Sequence, residues 1–102
     1  MIQIKKSSPQ QECADKLKVL GDTTRLSVMS LLLEGPRTVT ELNEVLDMDQ
    51  SLLSHHLKIL RDAGLVASAR EGKGVLYSLA AGVDLSQSGK TINLGCCKLK
   101  FE

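Results

Sequence analysis

The chain has no tryptophan, one tyrosine and one phenylalanine among its 102 residues. A core without rings must be built from Leu, Val, Ile and Ala, and in a chain this short such a core is shallow, so a partner subunit is expected to complete it. Length for a second domain is also missing, which removes two-domain enzyme architectures and leaves one domain over residues 1–102. No long hydrophobic run is present. The longest, Val28 to Leu33, is broken by Ser30 and falls far below the roughly 20 residues of a membrane-spanning helix, and no apolar segment follows Lys5 and Lys6 as it would in an export signal. A soluble, cytoplasmic protein without a membrane partner is expected. An excess of one charge is absent too: 13 basic and 12 acidic residues give a net charge of +1, so nucleic acid would have to be met by a local patch and not by a global field. Cysteine is scarce and odd in number. With no export signal, Cys13, Cys96 and Cys97 argue against a structural disulfide framework and for reduced thiols with a chemical use.

What is there has helical spacing over the first two thirds of the chain. Cys13, Leu17 and Leu20 share one helical face, and Gly21 ends the run. Asp22 caps a second helix whose Leu26, Met29, Leu32 and Leu33 form an apolar face up to Gly35-Pro36. Thr38 and Glu41 stand in capping-box register, as Thr40 and Asn43 do more weakly, before a short third helix that buries Leu42, Val45 and Leu46. Met48 lies in a tight connection between two aspartates, and Asp49 caps a fourth helix from about Gln50 to Ala63 with Leu53, Leu57 and Leu60 facing inward. The period then changes. Val66 to Arg70 and Val75 to Ala80 read as two strands around Glu71-Gly72-Lys73-Gly74, a β-hairpin. Polar residues 84–90 separate this body from a cysteine-bearing tail, 84–102, which alternates apolar and polar after Cys97 like a strand. Helix, short helix, tight turn, longer helix, hairpin is the order of a winged helix-turn-helix, mainly α with a small β-hairpin.

The fourth helix sets Gln50, Ser51, Ser54, His55 and Lys58 opposite its leucines. Those side chains offer adaptable hydrogen bonds to base edges and a cation for guanine or phosphate, and Arg70 and Lys73 give the hairpin a basic tip. Groove reader plus wing explains the arrangement, with double-stranded DNA as the partner. His55 and His56 are adjacent, point about 100° apart on a helix and make a poor chelate, so His56 is expected to pack beside Leu53 and Leu60. No nucleophile, base and acid constellation suggests an enzyme; a small thiol enzyme would need a Cys-x-x-Cys that is absent.

The segments Leu17-Lys18-Val19-Leu20-Gly21-Asp22-Thr23-Thr24-Arg25-Leu26 and Ser51-Leu52-Leu53-Ser54-His55-His56-Leu57-Lys58-Ile59-Leu60-Arg61-Asp62-Ala63-Gly64-Leu65-Val66 resemble the ArsR (ArsR/SmtB) winged-helix repressors of bacteria. The resemblance, over about Cys13 to Leu79, implies a homodimer held by the first helix and the C-terminal segment, an inverted-repeat operator, and release of DNA when an inducer binds. It also implies reading roles for Gln50, Ser51, Ser54, His55 and Lys58 and wing roles for Arg70 and Lys73. The founding arsenic sensors carry a Cys-Val-Cys after Glu-Leu where this chain has Glu41-Leu42-Asn43-Glu44-Val45, and the zinc sensors use an Asp and His set on a long last helix, whereas no histidine follows His56 here. A thiol sensor must then use Cys13, Cys96 and Cys97. Three soft thiolates suit a pyramidal As(III) or Sb(III) centre better than four-coordinate zinc. Cys13 would join the pair from the same chain or from the partner, over which the strand-like tail is expected to lie as an extended arm. No resident cofactor is required. The same cysteines leave two other inducers open: an oxidant or persulfide acting through a disulfide between Cys13 and one tail cysteine, and cadmium, lead or zinc.

Overall fold

The computed structural model describes residues 9–80, 84–85 and 91–101. Four helices and two small antiparallel sheets follow one another: α1 (Pro9–Leu20), α2 (Thr23–Leu32), β1 (Arg37–Thr38), α3 (Val39–Leu46), α4 (Gln50–Asp62), β2 (Val66–Glu71), β3 (Gly74–Leu79), β4 (Asp84–Leu85), β5 (Thr91–Asn93) and β6 (Lys98–Lys100). The expected fold class holds. The start signals work as side-chain chemistry predicts: Asp22 accepts from the Arg25 amide at 3.0 Å, Asp49 from the Leu52 amide at 3.1 Å, and Thr38 and Glu41 bond each other's backbone reciprocally. The pairing suggested for Thr40 and Asn43 does not form. Asn43 instead binds both the amide and the carbonyl of Met48, at 2.9 and 3.0 Å, and so ties the turn between α3 and α4 shut. Asp47 takes the left-handed conformation there, with φ +48°.

The core runs under all of this. Val28, Met29, Leu42, Leu53, Leu57, Leu60 and Leu65 have no exposed surface, and Ile92 and Leu94 from the tail join the same cluster. Three expected core residues lie outside it: Leu17, Leu26 and Val45 are exposed. Each shares a helix with the buried stripe but sits at its margin, where a short helix has no second layer to cover it. The wing sheet has a strand the sequence did not disclose, since β1 pairs with β3 to give the order β1-β3-β2. Two residues are too few to show a period.

The tail departs most from expectation. Asp84 and Leu85, which by composition begin a polar linker, pair with β5, and β5 pairs with β6, so these strands form a second three-stranded sheet of order β4-β5-β6. The rest of the linker, residues 86–90, lies outside the described residues. The strand character after Cys97 is as expected. An extended arm is not: the hairpin folds back onto its own chain because Ile92 and Leu94 find cover there.

Candidate DNA-reading face and cysteine site

On α4 the buried leucines fix the helix's rotation, and the opposite side carries Gln50, Ser51, Ser54, His55 and Lys58, all exposed. Lys58 reaches Asp62 one turn on, at 3.1 Å, an exposed pair that competes weakly with any other anion. Arg70 stands exposed on β2, and Lys73 occupies the two-residue turn between Glu71 and Gly74, beside Gly72, whose φ of +58° the tight connection requires. α4 and the wing thus both expose polar and basic side chains, with one acid, Glu71, exposed beside the wing turn.

His56 is largely buried, and it has polar partners that its sequence position did not announce. Its Nδ1 lies 3.1 Å from an Arg25 guanidinium nitrogen and 3.9 Å from an Asp22 oxygen. A guanidinium has no acceptor, so in the shorter contact Nδ1 accepts and the ring proton sits on Nε2; Asp22 is only a neighbour at the longer distance. Arg25 also donates through Nε to the carbonyl of Val19, at 2.6 Å. One guanidinium therefore ties the last turn of α1 to α4. The Arg25 amide hydrogen bond, aided by the Arg25 charge and opposed by partial burial, holds the Asp22 carboxyl below its ordinary range. Sequence reading missed this link, although Arg25 at the third helical position after an Asp cap is where a side chain can turn back over the helix start.

At the other end of α1 the three cysteines meet. Leu94 to Cys97 form the turn of the β5–β6 hairpin: the Leu94 amide donates to the Cys97 carbonyl at 2.9 Å, Gly95 supplies φ +92°, and Asn93 Oδ1 accepts from the Gly95 amide at 2.8 Å. Lys16, one turn after Cys13, donates to the Leu94 carbonyl at 3.3 Å and fastens the turn to α1. The three sulfurs lie within 4.8 Å of one another, all from the same chain. Cys13 and Cys96 are disulfide-bonded with Cα atoms 5.9 Å apart, and the Cys97 sulfur is 3.5 Å from that of Cys13. The expectation of three reduced thiols is thereby corrected: docking the hairpin on α1 brings Cys96 into bonding range. A cavity of about 280 Å³ opens beside the bond between Glu12, Lys16 and Gly95. Among the described residues no fourth His, Cys, Asp or Glu joins the sulfurs and no other such group of three forms. Once reduced, the site offers three soft donors to one ion; oxidised, it has spent two of them.

A capped three-residue turn between α3 and α4, an exposed polar α4 and a β2–β3 wing define the winged helix-turn-helix class. The sequence profile of bacterial regulatory proteins of the arsR family matches residues 22–68. The chain is 39% identical over 75 residues to the arsenical resistance operon repressor of Bacillus subtilis, covering 72% of this chain and 71% of that one. It superposes on HlyU from Vibrio cholerae with a TM-score of 0.70 at 33% identity, over 74% of this chain and 82% of that one. It also superposes on a homodimeric winged helix-turn-helix DNA-binding domain from Mycobacterium bovis with a TM-score of 0.70 at 28% identity, over 79% and 75%. The protein belongs to the ArsR family. Its match spans 61% and 47% of the length of the first curated relatives, both Mycobacterium tuberculosis regulators. Among the described residues no helix is long and apolar enough to cross a membrane.

Proposed function

We propose that the chain is a DNA-binding transcriptional repressor that holds an inverted-repeat operator as a homodimer and releases it when As(III) or Sb(III) binds the thiolates of Cys13, Cys96 and Cys97. Residues 1–102 act as one winged helix-turn-helix unit, with 84–102 as its sensing tail. Gln50, Ser51, Ser54, His55 and Lys58 meet the major groove, and Arg70 and Lys73 meet phosphates beside it. The B. subtilis relative's name as an arsenical resistance repressor and the M. bovis relative's homodimeric DNA-binding domain support this reading. The observation that carries it is the convergence of all three sulfurs within 4.8 Å, with no fourth ligand for zinc among the described residues, on a body of this class.

The disulfide favours a second reading, in which oxidant or persulfide closes Cys13–Cys96 and is itself the signal. Fluorescence anisotropy with operator DNA separates the two. For the reduced protein, arsenite lowers operator affinity some 10 to 100-fold, a coupling of ~1–3 kcal/mol. The double variant Cys96→Ser, Cys97→Ser keeps DNA binding and loses that release. Release by peroxide or polysulfide alone, with arsenite silent, replaces the metalloid reading by the redox one. Cadmium, lead and zinc titrated in the same assay show whether the sulfurs discriminate among soft ions.

A further inference from the structure

Cys97 is half-buried, keeps its thiol, and has its sulfur 3.5 Å from that of Cys13 while Cys13 is bonded to Cys96. We propose that Cys97 is the nucleophile of an internal thiol–disulfide exchange, so that the oxidised protein holds two interchangeable links, Cys13–Cys96 and Cys13–Cys97, both pivoting on Cys13.

The Cys97 thiolate attacks the Cys13 sulfur, a Cys13–Cys97 bond forms, the Cys13–Cys96 bond breaks, and Cys96 leaves as a thiolate that takes up the proton Cys97 gave to water. No electron is gained or lost overall, and no outside reagent is needed. Attack on the Cys96 sulfur would instead join sequence neighbours in a small ring closed across one planar trans peptide, so the pivot is Cys13. Displacement at sulfur runs in line with the breaking bond. Because no two of the sulfurs are more than 4.8 Å apart, Cys97 stands beside that bond, and a side-chain rotation precedes the step. The hairpin permits it, since the Cys96 side of the turn faces solvent and Cys97 lies at the edge of the core. Exchange moves the unbonded thiol from a half-buried place to an exposed one. The oxidised protein then still presents a thiol to solution, at Cys96, where a persulfide or a small thiol can reach it. That consequence rests on the thiol-sensing reading; the exchange itself does not.

The test uses the full chain and no DNA. The protein is oxidised with diamide, freed of oxidant, held at pH 8 or pH 4, then acid-quenched, alkylated and digested, and the alkylated cysteine is located by fragment mass spectrometry. At pH 8 the alkyl group should redistribute with time between Cys97 and Cys96 while Cys13 stays linked in every oxidised molecule; at pH 4, where thiolate is scarce, the ratio should stay fixed. Cys96→Ser should oxidise to Cys13–Cys97, and Cys97→Ser should freeze the link at Cys13–Cys96, with helical circular dichroism confirming that both variants fold. A ratio that never moves at pH 8, a Cys96–Cys97 link, or a Cys96→Ser protein that forms no intrachain bond overturns the proposal. Failure of operator release with exchange intact counts against the repressor reading alone.

Discussion

Leu53, Leu57 and Leu60 hold α4 in a core with no exposed surface, whereas the turn bearing Cys96 and Cys97 rests on Ile92, Leu94, one lysine hydrogen bond and a sulfur link. The first support is packing, which thiol chemistry cannot switch off. The second is partly covalent and depends on the state of three thiols. On the proposed function, a body fixed by leucines with a tail fixed partly by sulfur lets one part sense while the other keeps its shape.

The largest effect should come from breaking the body's own support. Leu57→Ala removes a fully buried side chain beneath α4 and should cost ~2–5 kcal/mol in urea unfolding, with or without reductant. Reducing Cys13–Cys96 comes next, at ~2–4 kcal/mol for so long a loop, and amide exchange should show it lost at Ile92 and Leu94 with protection at Leu53, Leu57 and Leu60 retained. Equal loss of protection in both regions would erase the distinction between them. The thiol-dependent part sharpens at the metalloid: pre-oxidised protein should bind arsenite at least tenfold more weakly than reduced protein, ~1.4 kcal/mol, read by thiolate absorption, because two of three donors are spent.

A smaller effect is expected at the junction of α1 and α2. Asp22→Ala should cost ~1 kcal/mol at pH 7 through the lost cap, while Asp22→Asn, which keeps an acceptor, should cost less. The folded Asp22 carboxyl titrates below its ordinary 3.8, so its stabilisation is present above that value and is lost as pH falls through the lower folded one. Urea midpoints of wild type and Asp22→Ala should therefore converge in acid. Smallest of all, Lys73→Ala should leave stability unchanged and lower the salt dependence of DNA binding by about one unit.

The body was legible because each element announces itself locally. Asp22, Thr38 and Asp49 are caps that work through bonds to the next three residues, and the leucines of α4 show their period within four turns. Contacts that join distant segments left no such trace. The sequence offers nothing that pairs Arg37-Thr38 with Leu76-Tyr77, or Arg25 with His56, because those partners are chosen by the packed fold. The cysteine site lay between these extremes. Its three members were evident from scarcity alone, but the fold-back of the tail, and with it the bond between Cys13 and Cys96, depends on Ile92 and Leu94 reaching the common core. Alternation along a strand shows which residues share a face, not what that face will cover.

The Cys13–Cys96 link joins positions 83 apart, so in the oxidised protein the backbone from α1 to the tail is a closed ring. A protease that cuts the wing or the turn before α4 opens the ring without releasing a fragment. Such a nicked molecule keeps its mass plus one water on a non-reducing gel and falls into two pieces only when thiols are added. Cleavage and reduction must coincide for the chain to come apart, so the sulfur link also sets how the protein is dismantled.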